Sequence, residues 1–381
     1  MSSSCSLRSG TEYSGPARHP AATPGISPAR KIREKSHHRT RQRWFSRVAA
    51  LLVILLPVHD ACAEWLHEDA DIMGTRITVE LSHADAAIAR QGVDAVMAEM
   101  RRIDNSMSPW IESSELARLN REAADHPVAV SEELFNLIKT SIEFSRLTGG
   151  AFDITFASVG FLYDYRKGVH PDALQRREAT ELINYRNLVL DDATHRISYS
   201  KPGVRIDLGG IAKGHAVDRC ITLLQSLGIH QALVTAGGDS RMIGDRWGRP
   251  WSIGVRDPRN ENKLVAVIPL EDVAVSTSGD YERYFEEDGI RYHHIINPES
   301  GDSARELRSV TIIGPDATTT DILSTSVFVL GLEKGLALVN RLPDIDAILV
   351  DRHGAMHYSE DLQPARKPES GARPAAAPVP D

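Results

Sequence analysis

The chain has 381 residues, 41% hydrophobic and 25% charged, which is enough apolar material for one large globular body, and a formal net charge of −8. The charge is uneven: residues 1–63 carry 10 Lys and Arg against 3 Asp and Glu, leaving 34 basic against 49 acidic residues in the remainder. An acidic body argues against a nucleic-acid backbone as partner, and because only Cys220 of the three cysteines lies beyond residue 63, neither a disulfide framework nor a cysteine metal site is expected.

The first stretch, Ser2 to Lys35, is rich in Ser, Pro and Arg and has no folding pattern. Arg39, Arg41, Arg43 and Arg47 then precede the apolar run Val48 to Val58 and the small-residue site Ala61-Cys62-Ala63, the three parts of a secretory signal. The run is short for a membrane span, which needs roughly 20 residues. Cleavage after Ala63 is therefore expected, with a short uncleaved anchor as the alternative. His59 and Asp60 suit a lipobox poorly, and no Arg-Arg pair marks twin-arginine export. The expectation is an exported, periplasmic protein with a leader over 1–63, a folded body over 64–358 and a disordered tail over 359–381, where Pro, Ala and charge dominate.

Within the body, Met73-Gly74-Thr75 leads into the alternating strand Ile77 to Leu81. Helical spacing of Ile88, Val93, Val96, Met97 and Met100 predicts a helix over 84–105. Ser113-Ser114-Glu115-Leu116 reads as the capped start of a short helix, and Glu132 to Thr148 as a third helix stopped by Gly149-Gly150. An irregular aromatic stretch, Phe161 to Tyr165, follows Ala151-Phe152-Asp153. Strands are expected at 188–190, 196–199, 204–208, 232–236, 251–255, 265–269, 273–276, 292–296 and 310–313, with a helix over 211–227 between the third and fourth. A helix from about 316–320 through Leu330, another over 333–339, and a closing strand pair at 346–350 and 356–358 complete the body. Strands that look antiparallel, with helices grouped between them, predict an α+β fold rather than a doubly wound parallel sheet.

Three segments carry chemistry. In Asp207-Leu208-Gly209-Gly210-Ile211-Ala212-Lys213-Gly214 a carboxylate, paired glycines and a lysine open a helix, an arrangement that holds phosphates; it also occurs as a plain tight connection with a solvated lysine. Asp321 and Thr325 stand four apart on one helical face and offer hard oxygens to Mg²⁺. An aspartate complementing the helix dipole and a threonine bonding back to the preceding turn explain them equally simply. His293 and His294, adjacent on a strand, point to opposite faces, so at most one serves any given site. The H-E-x-x-H, G-x-S-x-G and Walker patterns are absent.

These motifs, in order with Met73-Gly74-Thr75, Ser113 to Asn120, Gly150-Ala151-Phe152-Asp153, Ala236-Gly237-Gly238-Asp239, Ser276-Thr277-Ser278-Gly279-Asp280, His294-Ile295-Ile296-Asn297-Pro298 and Asp321 to Gly331, resemble the ApbE family over about residues 73–358. The resemblance implies a single T-fold-related body of mixed and antiparallel sheets with packed helices. It implies an exported, Mg²⁺-dependent FAD:protein FMN transferase that splits FAD, releases AMP and leaves FMN on a threonine of an acceptor, a redox-complex subunit or other exported flavoprotein. It implies FAD contacts at Met73, Trp110, Ala151, Phe152, Asp153, Asp207, Lys213 and Ile295, and Mg²⁺ contacts at the Gly210 backbone, Asp321 and Thr325. His294, or alternatively Asp321, is the candidate for assisting the acceptor hydroxyl. Trp110 stands where the family often has tyrosine and could stack on the flavin or serve as a core aromatic. Two positions depart from the family: Asn297 replaces the usual Asp, and Phe156-Ala157-Ser158-Val159-Gly160 replaces a Gly-Pro-Leu run. An FAD pyrophosphatase and a non-catalytic flavin-binding protein are the competing functions.

Overall fold

In a computed structural model, which describes residues 64–363, the first strand, β1 (Glu64–Ile72), turns directly into β2 (Thr75–His83). Ile72 pairs with Thr75, so Met73-Gly74 is a two-residue hairpin loop, and both residues take positive φ, 56° and 67°. That geometry matches the right-handed twist of the flanking strands. Gly237-Gly238 is another two-residue loop, with Gly237 alone at positive φ (62°), between β3 (Gln231–Ala236) and β4 (Asp239–Ile243), and the Gly237 N–H donates to Arg76 O, so the two turns lie side by side. β5 (Ala274–Gly279), β6 (Leu307–Gly314), β7 (Asp346–Asp351) and β8 (Met356–Tyr358) complete an eight-stranded sheet whose spatial order follows the chain, every neighbour antiparallel. The fold is α+β.

The three long helices that touch this sheet, at 86–107, 212–226 and 317–339, cover one face of it. Between β2 and β3 the chain forms α1 (Ala86–Met107), α2 (Glu115–Glu122), α3 (Glu132–Leu147), α4 (Ala173–Thr180) and α5 (Ala212–Ser226); α6 (Ala317–Val339) links β6 to β7. Strand alternation sends Ile77, Val79, Leu81, Ala232 and Val234 under α1 and α5, while Val310, Ile312 and Leu349 pack on α6 through Leu323, Val327 and Phe328. Met242, Val275 and Ile313 point the other way, onto the hairpin Trp251–Asp257/Asn260–Leu270. α6 is long and apolar enough to cross a membrane, but its apolar side chains fill this core and it breaks at Gly331, where φ is 79° and the missing Cβ leaves room for the Glu306 carboxylate. The sequence pattern split it at the same place.

Several expectations change. Residues 204–208 form no strand. They pair with no strand among the described residues; the Asn120 amide holds them instead, accepting from Ile206 N at 2.8 Å and donating to Ile206 O at 2.9 Å, and Asp207 N donates to Ile154 O. The strand expected at 292–296 breaks at His294, because its pairing partner switches from Tyr284–Glu287 to Asp302–Ser303. β4, which has no apolar alternation to announce it, was not foreseen, and neither were β1, the helix α4 or the strand Tyr284–Glu287. Finally, 359–363, assigned to the tail, packs on the body: Ser359 is buried, its hydroxyl donates to Asp346 Oδ1 at 2.7 Å and accepts from Ala347 N, and Leu362 covers the far side of the sheet. The leader and the rest of the tail lie outside the described residues.

Candidate active site

The site grows from the contact between α5 and α6. A Cβ on Gly214 would fall 2.1 Å from Ala317 O and 2.8 Å from Asp321 Cβ, so only glycine lets the helices meet this closely. Asp218, one turn further along α5, accepts from Ala317 N, Thr318 N and the Thr318 hydroxyl, satisfying open donors at the start of α6. Asp316 supplies the N-cap by accepting from Thr319 N. Asp321 therefore has no capping task. Its carboxylate reaches across the interface, accepting from Gly214 N at 3.0 Å and from Lys213 Nζ at 3.3 Å.

Lys213 also lies 2.6 Å from Asp239 Oδ2, so its ammonium is clamped between two buried carboxylates. Burial alone would lower the lysine pKa, but Asp239 and then Asp321 outweigh it and raise it. Asp321 is pushed up by burial and then by the Asp239 charge, against the pull of Lys213. The lysine expected to await a phosphate as a free cation is thus already ion-paired, and two carboxylates share its one ammonium. That surplus, with hard oxygens around it, suits a divalent cation. Among the described residues no three His, Cys, Asp or Glu side chains converge as metal ligands, so a cation here would draw on hydroxyl and backbone oxygens as well.

Such oxygens are adjacent. A Cβ on Gly210 would sit 3.3 Å from Thr325 Oγ1 and 3.2 Å from Phe152 Cε2, bringing together the glycine turn, the α6 hydroxyl and the 151–153 loop. Thr325 does not bond back to its own helix, whereas Thr320, Ser324 and Ser326 do, to Ala317 O, Asp321 O and Ile322 O. It lies instead 3.3 Å from Ser278 Oγ. Dipole complementation by Asp321 and back-bonding by Thr325 therefore do not describe these side chains.

The two histidines separate as strand geometry requires. His293 is buried in the α6 core, with Nε2 2.6 Å from Ala304 O and Nδ1 accepting from Ile295 N. His294 turns the other way; its N–H donates to Arg283 O, and its Nδ1 is buried without a hydrogen-bond partner. Burial, His293, Arg283 and Lys213 push its pKa down to about 3, so the ring is neutral at pH 7. A buried unpartnered imidazole nitrogen is costly unless something occupies it in use. Arg283 continues the site outward: its guanidinium donates to Gly74 O at 3.4 Å and, with Lys213, offsets the burial that raises Asp207. Asp207 closes its own turn by accepting from Gly209 N at 2.6 Å.

The remaining candidates play varied parts. Met73 holds the hairpin turn, with its N–H on Asp104. Ala151 and Phe152 continue the turn that ends α3, with Phe152 N on Thr148 Oγ1. Asp153 is locked internally, accepting from Thr155 N, Thr155 Oγ1 and Tyr185 N. The Ile295 side chain belongs to the α6 core. Trp110 is 72% exposed, so it is not a core aromatic; it leans on Phe161, ring centroids 4.9 Å apart. Asn297 Oδ1 accepts from Glu299 N, a turn bond that Asp would make equally. The 156–160 segment forms a single helical turn whose Ser158 hydroxyl accepts from Arg205 N. Sequence reasoning assigned no role to Asp239, Arg283 or Ser278. Asp239 and Ser278 did sit in quoted motifs, but nothing linear says they face Lys213 and Thr325.

The comparisons with known proteins agree with this architecture. A protein from Klebsiella pneumoniae named FAD:protein FMN transferase is 34% identical over 74% of this chain and 88% of its own length, and one of the same name from Vibrio cholerae is 31% identical over 85% and 98%. Among solved structures, the ApbE protein of Thermotoga maritima superposes with a TM-score of 0.73 at 38% identity, covering 78% of this chain and 98% of its own; the flavin transferase ApbE of Vibrio cholerae gives 0.69 at 28%, covering 78% and 96%. A family profile matches residues 73–349, and the chain belongs to the ApbE family.

Proposed function

We propose that this FAD:protein FMN transferase works at the α5–α6 contact and uses Mg²⁺ to move FMN from FAD onto a threonine of an exported acceptor, releasing AMP. The observation that carries the reading is Asp321: a buried carboxylate that ignores its own helix and joins Lys213, Asp239 and the Gly210–Thr325 pair. Asp321, Thr325 and the Gly210 carbonyl would hold Mg²⁺, which supplies charge neutralisation on a diphosphate. Lys213 and Arg283 orient the phosphates, the Met73-Gly74 turn and Phe152 border the ligand, and Trp110 offers a face for stacking. The acceptor hydroxyl attacks the FMN phosphorus, the bond to the bridging oxygen breaks, and AMP leaves with that oxygen. The neutral His294 takes the hydroxyl proton at Nδ1, and an anionic diphosphate among its cationic neighbours favours that protonation.

Incubating the chain with FAD, Mg²⁺ and a threonine-bearing flavin-acceptor subunit tests this. Covalent FMN on the acceptor is expected, with Asp321→Ala inactive at any practical Mg²⁺ concentration and Thr325→Val needing more Mg²⁺. A well-folded Asp321→Ala chain with normal Mg²⁺-dependent transfer overturns the site; free FMN and AMP regardless of acceptor would indicate a pyrophosphatase, and neither product a flavin-binding protein. The basic flank, apolar run and Ala61-Cys62-Ala63 support export to the periplasm with cleavage after Ala63, and the mass of the periplasmic protein checks it.

A further inference from the structure

The Thr325 hydroxyl ends a short chain of hydroxyl groups whose direction is set by covalent chemistry. Ser324 Oγ lies 2.9 Å from the Asp321 carbonyl oxygen, which can only accept, so Ser324 spends its single proton there. Ser278 Oγ lies 2.8 Å from Ser324 Oγ and must be the donor in that pair. Having spent its own proton, Ser278 can only accept from Thr325, 3.3 Å away. The run is therefore Thr325 to Ser278 to Ser324 to Asp321 O, and its far end is shielded, Ser324 being 1% exposed. Each member has one proton and one defined acceptor, so no second arrangement satisfies all three contacts.

This polarity has a consequence for a cation. A hydroxyl ligates metal through an oxygen lone pair, and its proton has to point elsewhere. We propose that Ser278 and Ser324 are positioning residues that draw the Thr325 proton back toward β5 and present the Thr325 lone pairs to the metal beside Gly210 and Asp321. The chain also ties the two side-chain ligands, Thr325 and Asp321, together, because the carbonyl that anchors it belongs to Asp321 itself. Outer partners that orient a ligand commonly govern metal affinity as well as the ligand does. The inference rests on the metal site proposed above and adds to it the device that orders its hydroxyl.

The test reads metal binding without turnover. Mn²⁺ is titrated into the metal-stripped chain with FAD at saturation, and free Mn²⁺ is followed by its EPR signal. Ser278→Ala should weaken Mn²⁺ binding roughly tenfold, Ser278→Thr should restore most of it, and Thr325→Val should weaken it at least as much as Ser278→Ala. The double variant Ser278→Ala/Thr325→Val should bind no more weakly than Thr325→Val alone, since both act through one oxygen. Metal-free FAD affinity, read by flavin fluorescence, should be the same in wild type and Ser278→Ala. Unchanged Mn²⁺ affinity in Ser278→Ala, additive losses in the double variant, or a parallel fall in metal-free FAD affinity overturns the inference. A wild-type chain that binds Mn²⁺ but transfers no FMN refutes the proposed function and leaves this inference standing. One that binds no Mn²⁺ refutes both.

Discussion

Lys213 shows how a single residue changes meaning once its neighbours are known. Between Asp239 and Asp321 it neutralises buried charge, so removing it leaves two carboxylates facing each other. Lys213→Met should destabilise the chain by up to about 3 kcal/mol, the lower end of the cost of breaking a buried pair because the side chain is 27% exposed. Added Mg²⁺ should recover part of the lost melting temperature by binding the folded state. A melting temperature equal to wild type without Mg²⁺ would show that the clamp has no energetic weight. His293 supplies a pH signature. Burial pushes its pKa from 6.5 to about 4. Between those values the unfolded chain holds the extra proton, so this contribution is intact above pH 6.5 and is lost as pH falls toward 4, by up to about 3 kcal/mol. Denaturation from pH 7 to 4.5 should show a shallower fall in stability for His293→Gln, which keeps a donor for Ala304 O, than for wild type.

At the scale of elements, the α5–α6 contact is the joint on which the site depends. Gly214 is the position where the two backbones nearly touch, and a methyl group there has backbone to strike rather than a side chain that can swing aside. Gly214→Ala should cost about 1–3 kcal/mol by overpacking. It should also separate Lys213 from Asp321, so FMN transfer should fall much further than the melting temperature alone implies. Activity falling only in proportion to the unfolded fraction would mean the joint tolerates the shift. The same logic explains Gly238, where a Cβ would strike Thr277 O at 2.5 Å.

Across the whole molecule, the sheet runs in chain order, so each turn at one end stacks on the next. The Met73-Gly74 and Gly237-Gly238 loops and the end of β5 therefore gather at one edge. Residues 359–363 pack on another part of the body, Ser359 tying β7 and Leu362 covering the outer core. A chain ending at Gln363 should melt like the full chain, while one ending at Tyr358 should melt measurably lower, having lost buried hydrogen bonds worth about 1 kcal/mol each and an apolar contact. Equal melting temperatures for the two truncations would show that 359–363 contributes nothing.

Local signals decided much of this fold in advance. Helical periodicity marked α1, α3 and α5, the Ser114 cap marked α2, Gly331 divided α6, and adjacent residues on a strand had to send His293 and His294 to opposite faces, because each of these is a property of neighbours along the chain. Ordered motifs identified the family for the same reason. Other features depended on partners distant in sequence. Residues 204–208 have strand-forming composition but find an asparagine side chain instead of a strand, and β4 exists because β3 and β5 flank it. Whether Asp321 serves its own helix or reaches across to another was undecidable from its spacing to Thr325, since both readings put the two on one face. Only the docking of α6 onto α5, allowed by Gly214, and onto β4 and β5 brought Lys213, Asp239 and Ser278 to that face and settled which side chains meet.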